Sequence, residues 1–364
     1  LSHNAISLMF VPFILLYALY LQSTSKESFG HLRGVVAMAL LGFGLSAFFW
    51  IPAFFEGKYT LRDIVTAGEY ASRFTDFAHF VYSPWNYGGS GQFSLQVGII
   101  HWVIIVLTIP VIYILYKRKN NLWILALSTF VLFWLTIFIM TPLSKIIWDN
   151  VSILQKFQFP WRFMSVSVFL IGVLGGLGIY LVPNKLKTLV VFCFILLVLF
   201  FNKDFWHANG YLQKPESFFT GIYYGTTDTG ESSPIWSVRF MEKRPKAHMD
   251  IVSGEAIIKK ISRKSTVHVY EINAVEKSRV LENTLYFPGW NVFVDGRKAE
   301  VEFQDPRHRG LMTFFVEKGK HNVEVKFGET KLRFLADITT AASLALIIIY
   351  FLLNLSLRST IKTK

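Results

Sequence analysis

The stretch Gln158–Arg162, QFPWR, holds the residues of this chain best suited to gripping a phosphate. A guanidinium is planar, permanently charged and forked, so Arg162 can meet a phosphate through two parallel hydrogen bonds. Gln158 adds an amide donor, and the Trp161 indole rests comfortably at the headgroup level of a bilayer. Pro160 disfavours a helical conformation at Phe159, so one helix should stop there and another begin. The group reads as a lipid-phosphate site of Arg162 and Gln158, with Trp161 as a stacking surface. Two other roles for Arg162 stay open: an anchor to phospholipid headgroups, or a partner for Asp149. Trp85 and Tyr87, in the Gly- and Pro-rich segment Tyr82–Phe93, are further candidates for stacking on a sugar, or belt residues at the interface. Asp76 and His79 would share a helical face, as an acid–base pair, as half of a metal site, or as side chains that simply face water. Two residues make no metal site, and no HExxH or paired ligand spacing occurs. No cofactor is identified, and the residues present do not support a divalent metal. The single cysteine, Cys193, lies in an apolar run and leaves no intrachain disulfide.

The elements that position QFPWR come next. Thr141 and Pro142 form a helix start. Leu143, Ile146, Ile147, Val151, Leu154 and Phe157 then recur at helical spacing, with Lys145, Asp149, Ser152 and Lys156 opposite. That pattern predicts a short amphipathic helix lying flat at a bilayer surface. The 364-residue chain is 52% hydrophobic and only 17% charged, which is membrane composition. Its net charge of +13 does not mark a nucleic-acid partner, because Lys and Arg cluster in short segments beside apolar runs.

Seven runs approach the ~20 apolar residues that a span requires. They are 5–21, 35–55, 97–116, 122–140, 163–181, 186–201 and 336–355. If all seven cross, four basic segments fall on one side: Lys26 and Arg33, Lys117–Lys119, Lys185 and Lys187, and the Arg358–Lys364 tail. The positive-inside rule makes that side, and the C-terminus, cytoplasmic. Segments 56–96, 141–162 and 203–335 are then extracytoplasmic. The Gly172, Gly175, Gly176 and Gly178 series in the fifth run suits close helix packing.

The expected organisation is a multi-spanning domain over 1–202, an extracytoplasmic domain over 203–335, and a last span with a basic tail over 336–364. From Ala247 the pattern turns to β, with eight candidate strands between 248 and 327. Val323, Val325 and Phe327 alternate with Asn322, Glu324 and Lys326, and Asp295-Gly296 is a two-residue hairpin signal. Such short strands predict an antiparallel sandwich. The fold class is therefore an α-helical polytopic membrane domain plus an all-β sandwich. His268, His308 and His321 are dispersed and read as surface or strand residues.

QFPWRF, FAHFVYSPWNYGGSG with SLQVG, YFPGWNVFVDGRKAEV and EKGKHNVEVKF together resemble a family of bacterial multi-spanning proteins. These are the 6-pyruvoyl-tetrahydropterin-synthase-related membrane proteins, similar to the YfhO-like proteins. No histidine-triad zinc pattern of a pterin synthase is present. The resemblance implies an architecture like the glycosyltransferase C superfamily, which transfers sugars from polyprenyl-phosphate donors outside the plasma membrane. It also implies membrane lipids and a polyprenyl-phosphate-linked sugar as partners. In that superfamily the catalytic acidic residue lies in the first outer loop, which is expected upstream of Leu1. The opening LSHNAISLMF accordingly reads as the start of the C-terminal part of a longer protein. Two other classes stay open, a non-catalytic glycan-binding scaffold and a lipid or glycan exporter. The exporter calls for polar linings along several spans, and the runs show none.

The orientation gives a direct test. With Cys193 replaced, a cysteine introduced by Ser232→Cys should react with an impermeant maleimide in intact cells. Labelling only after lysis would reverse the topology.

Overall fold

The computed structural model describes residues 4–24, 30–83, 94–206, 213–216, 230–240, 242 and 245–362. The chain divides into two compact units, Leu1–Val36 with Ala67–Leu212, and Ala37–Thr66 with Gln213–Lys364. The helices are α1 (Asn4–Thr24), α2 (Gly30–Leu45), α3 (Ala47–Phe55), α4 (Arg62–Val65), α5 (Phe77–Val81), α6 (Ile99–Lys117) and α7 (Leu122–Met140). They continue with α8 (Lys145–Asn150), α9 (Ser152–Gln155), α10 (Met164–Leu181), α11 (Asn184–Phe201) and α12 (Lys331–Lys362). Six helical segments among the described residues are long and apolar enough to cross a membrane, within α1, α6, α7, α11, α12 and Pro160–Leu181. Their apolar side chains point largely outward, as lipid-facing residues do.

The second predicted run is not one straight helix. Arg33–Leu45 and Ala47–Phe55 meet at 70°. The cause is competition for backbone carbonyls. Ser46 Oγ donates to the Gly42 and Phe43 carbonyls at 2.9 and 3.2 Å, and the Trp50 indole donates to Phe43 O at 2.9 Å. Counted as one span, this pair brings the total to seven.

In the first unit α6, α7 and α10 pack around Ile105, Phe133, Ile137, Val166, Leu170 and Leu174, all buried. None of the four glycines of α10 is required by close packing, since a Cβ would find room at each. A Cβ at Gly175 or Gly178 would make only ordinary van der Waals contact with Ile104 or Val111 of α6. Gly172 and Gly176 face open space.

The second unit carries the sandwich. Its strands are β1 (Met249–Ser253), β2 (Ala256–Arg263), β3 (Val267–Ala274), β4 (Ser278–Leu285), β5 (Trp290–Val294), β6 (Arg297–Ala299), β7 (Leu311–Val316) and β8 (Gly319–Phe327). They form two antiparallel sheets, β1-β4-β7 and β2-β3-β8-β5-β6. Asp295 and Gly296 both take positive φ, 50° and 78°, the double left-handed turn that joins β5 to β6. Inward residues of both sheets, including Val280, Met312 and Phe314 against Ile272, Val292 and Val325, make one apolar core.

A polar hub lies at one end of that core. Glu282 of β4 is wholly buried. Its Oε1 accepts from Arg263 at 2.7 Å, Thr284 at 2.9 Å and, with the ring proton on that nitrogen, His268 Nδ1 at 2.9 Å. No partner among the described residues reaches Oε2. Burial alone would raise this carboxyl, but the hydrogen bonds from His268, Arg263 and Thr284 outweigh it and hold it below the ordinary glutamate value. His268 is thus a buried strand residue rather than a surface one.

Val325 is wholly buried and pairs with His268 on one side and Val292 on the other. Val325→Asp should cost about 3–5 kcal/mol, from lost apolar burial and a carboxylate without partners. The expected readout in the full chain is new protease cleavage within 247–329. Unchanged resistance would show that this strand face is not core.

Candidate functional site

Residues 67–83 and 141–163 meet beside the start of α10, and the site is built from them. The predicted flat helix is in pieces: a 3-10 turn over Pro142–Ser144, then α8 and α9, separated at Val151. Val151 is extended (φ −113°, ψ 91°). The Gln155 side chain takes the Trp148 and Asp149 carbonyls at 2.9 and 3.3 Å, which a continuing helix would give to its own backbone. Of the predicted apolar face Leu143, Ile146, Ile147 and Val151 stay exposed, whereas Leu154 is half-buried and Phe157 is buried in the core.

Trp148, on the opposite side, fastens this shelf to its surroundings. It is wholly buried, donates its indole N–H to Ile139 O at 2.9 Å, and stacks on Tyr70 with centroids 5.4 Å apart. Tyr70 in turn donates to Asp149 Oδ1 at 2.8 Å, and Lys145 donates to both Asp149 oxygens at 2.9 and 2.7 Å. The Lys145 and then the Tyr70 hydrogen bonds hold Asp149 below the usual carboxylate range. Asp149 is therefore engaged by Lys145 and Tyr70 instead of Arg162.

Gln158 ends the shelf in the left-handed region, at φ 64°, an uncommon and mildly strained choice for a residue with a Cβ. It is only 6% exposed. Its amide nitrogen donates to Glu69 Oε2 at 2.7 Å, while its amide oxygen accepts from Arg162 Nη2 at 3.2 Å. Arg162 Nη1 also donates to Phe157 O at 3.0 Å. Pro160–Phe163 then forms a 3-10 turn that runs straight into α10. Phe159 and Trp161 stack with centroids 4.7 Å apart and planes 6° from parallel. Two guanidiniums reach the Phe159 ring, Arg162 at 4.9 Å and Arg73 at 5.8 Å.

The structure thus brings together Gln158, Trp161 and Arg162, and adds Glu69, Arg73 and Phe159. Glu69 and Arg73 lie some ninety residues away in sequence, with no spacing signal to mark them. Trp85 and Tyr87 lie outside the described residues. Asp76 is extended and precedes α5, and His79 N bonds its carbonyl at 3.0 Å. Among the described residues no group of three or more His, Cys, Asp or Glu could hold a metal ion. Chemically, the arrangement offers an anion two guanidiniums at one aromatic ring, one of them fixed in orientation, where an apolar helix begins.

No protein-family model matches this chain, and no curated protein or solved structure matches it at a significant level.

Because Trp148 fills the space beneath the shelf, Trp148→Ala should destabilise the first unit by about 3–5 kcal/mol. Trp161→Ala, on a half-buried indole, should cost clearly less. Thermal unfolding of the purified chain in detergent would compare them, and equal losses would contradict the anchoring role of Trp148.

Proposed function

We propose that this is a multi-pass protein of the plasma membrane that binds a lipid-linked phosphate at Arg162 on the extracytoplasmic side. The reading extends to a polyprenyl-phosphate-linked sugar as ligand and to a place among lipid-linked sugar transferases of the glycosyltransferase C type, or their relatives, in envelope glycan assembly. One observation carries it: the Arg162 guanidinium is held by Phe157 O and by a buried, strained Gln158 where Pro160–Leu181 enters an apolar span. A plain headgroup anchor needs only positive charge. It does not call for a buried amide, itself tied to Glu69, to aim the fork.

Trp161 and the exposed apolar side chains of α8 support an interfacial position, at which a phosphate would leave its sugar in water and its lipid tail beside α10. The distribution of basic segments supports an extracytoplasmic shelf and sandwich with a cytoplasmic C-terminus, provided that the bent α2–α3 pair crosses.

Lysine separates the two roles of Arg162. A bidentate clamp needs the fork, so Arg162→Lys should leave the fold intact and weaken binding of a polyprenyl phosphate by ~1–3 kcal/mol, the range for a charge-assisted hydrogen bond. Arg162→Ala should weaken it at least as much. The measurement is binding to the purified chain in nanodiscs. Equal affinities for wild type, lysine and alanine variants would remove Arg162 from the site.

A further inference from the structure

At the polar end of the sandwich the space between the sheets opens into a cavity of about 390 Å³. Its walls include Lys260, Arg263, Lys264, His248, His268 and Trp290, and among the described residues no carboxylate lines it. The backbone explains why so many cations gather there. Tyr270 and His268 of β3 point into the sandwich, and their register partners on β2 are Lys260 and Arg263. That pair lies three positions apart, so a regular strand would send its members to opposite faces. The register shift between Lys260 and Ser262 inserts one residue and puts both on the face of Tyr270 and His268, Arg263 half-buried and Lys260 exposed at the margin.

Arg263 is neutralised by Glu282 at 2.7 Å, and its Nη2 donates to Thr284 Oγ1 at 3.1 Å, so its position is set. Among the described residues Lys260 and Lys264 pair with no carboxylate, so their two positive charges stand beside the neutralised Arg263. Burial, and then the charges of Arg263 and Lys260, hold His248 below the usual histidine range, as expected in a positive environment. Trp290, half-buried and braced by Phe327 at 5.3 Å and His268 at 5.1 Å, adds an aromatic wall.

We propose that this cavity binds an anionic saccharide, with its phosphate or carboxylate on Lys260, Arg263 and Lys264 and a sugar face against Trp290. Cations alone would suit any anion; the aromatic wall beside them selects a ligand with an apolar ring face. A lysine on an edge strand such as β2 also discourages pairing with other chains, but that role involves neither Lys264 in the following turn nor Trp290 on β5. The proposal is independent of the lipid-phosphate reading, since it concerns different residues in the other unit.

The test is calorimetric titration of the purified full chain in phosphatidylcholine nanodiscs with glucuronate, glucose 6-phosphate, glucose and inorganic phosphate. Both anionic sugars should bind saturably and glucose should not. Replacing both lysines, Lys260→Gln with Lys264→Gln, should lower affinity for the anionic sugars about tenfold or more, the effect of losing one or two charge-assisted contacts. These lysines are exposed, so the fold should persist, and an unchanged melting curve checks that. Trp290→Ala should weaken the anionic sugars while leaving phosphate unaffected. Failure of the anionic sugars to saturate, or equal binding by wild type and the double lysine variant, would overturn the site. Phosphate binding as tight as glucose 6-phosphate and insensitive to Trp290→Ala, or binding only to phosphatidylglycerol vesicles, would overturn the saccharide assignment.

Discussion

Within the unit that carries the sheets, one buried ion pair joins helix to sandwich. Arg333, near the start of α12, donates Nε and Nη2 to Glu56 Oε2 at 3.0 and 2.8 Å, and Nη2 also donates to Pro288 O at 2.8 Å. Glu56 caps the end of α3, and Thr330 supplies its other oxygen with a hydroxyl at 3.2 Å. The guanidinium lies 4.6 Å from the Phe327 ring, at the last residue of β8. Three elements that could each pivot about a loop are thereby fixed at one point. Both side chains are nearly out of solvent, so each depends on the other: losing one partner leaves a buried charge uncompensated, a penalty of about 3–5 kcal/mol. Above the pair, Phe48 N donates to Thr340 Oγ1 at 2.9 Å, and a Cβ on Gly44 would collide with Ser343, so the helices run close together.

Much of this architecture was legible because its signals are local. The alternation Val323, Val325, Phe327 and the Asp295-Gly296 turn each specify backbone over a few residues, and the eight strands fall where the pattern puts them. Apolar runs gave the long helices for the same reason. The departures occur where a side chain competes with the backbone. Ser46 and Trp50 claim carbonyls and bend one run, and Gln155 splits the flat helix. Such competition depends on rotamers, which periodicity does not register.

The candidate site was half legible. Gln158, Trp161 and Arg162 are neighbours in sequence, so residue type and a proline sufficed. Glu69, Arg73 and Tyr70 come from another segment, and only tertiary folding brings them beside the shelf. The cationic end of the sandwich was hidden differently. Lys260 and Arg263 look like ordinary strand-surface charges until the inserted residue puts both on one face, and Glu282 sits on an inward position where an apolar residue would be expected.

Gln158 faces two demands that no other side chain meets together. Its left-handed backbone would be most comfortable with glycine or asparagine. Its amide, however, must span from Glu69 to Arg162, which glycine lacks altogether and asparagine, one methylene shorter, falls short of. Glutamate has the length but would set a second carboxylate against Glu69, and lysine or methionine cannot both donate and accept. Relaxing the backbone thus breaks the bridge, and keeping the bridge retains the strain. A position caught between conformational ease and chemical reach has almost no neutral substitutions, a narrowness that surface helix residues a few steps away, such as Ser152, do not share.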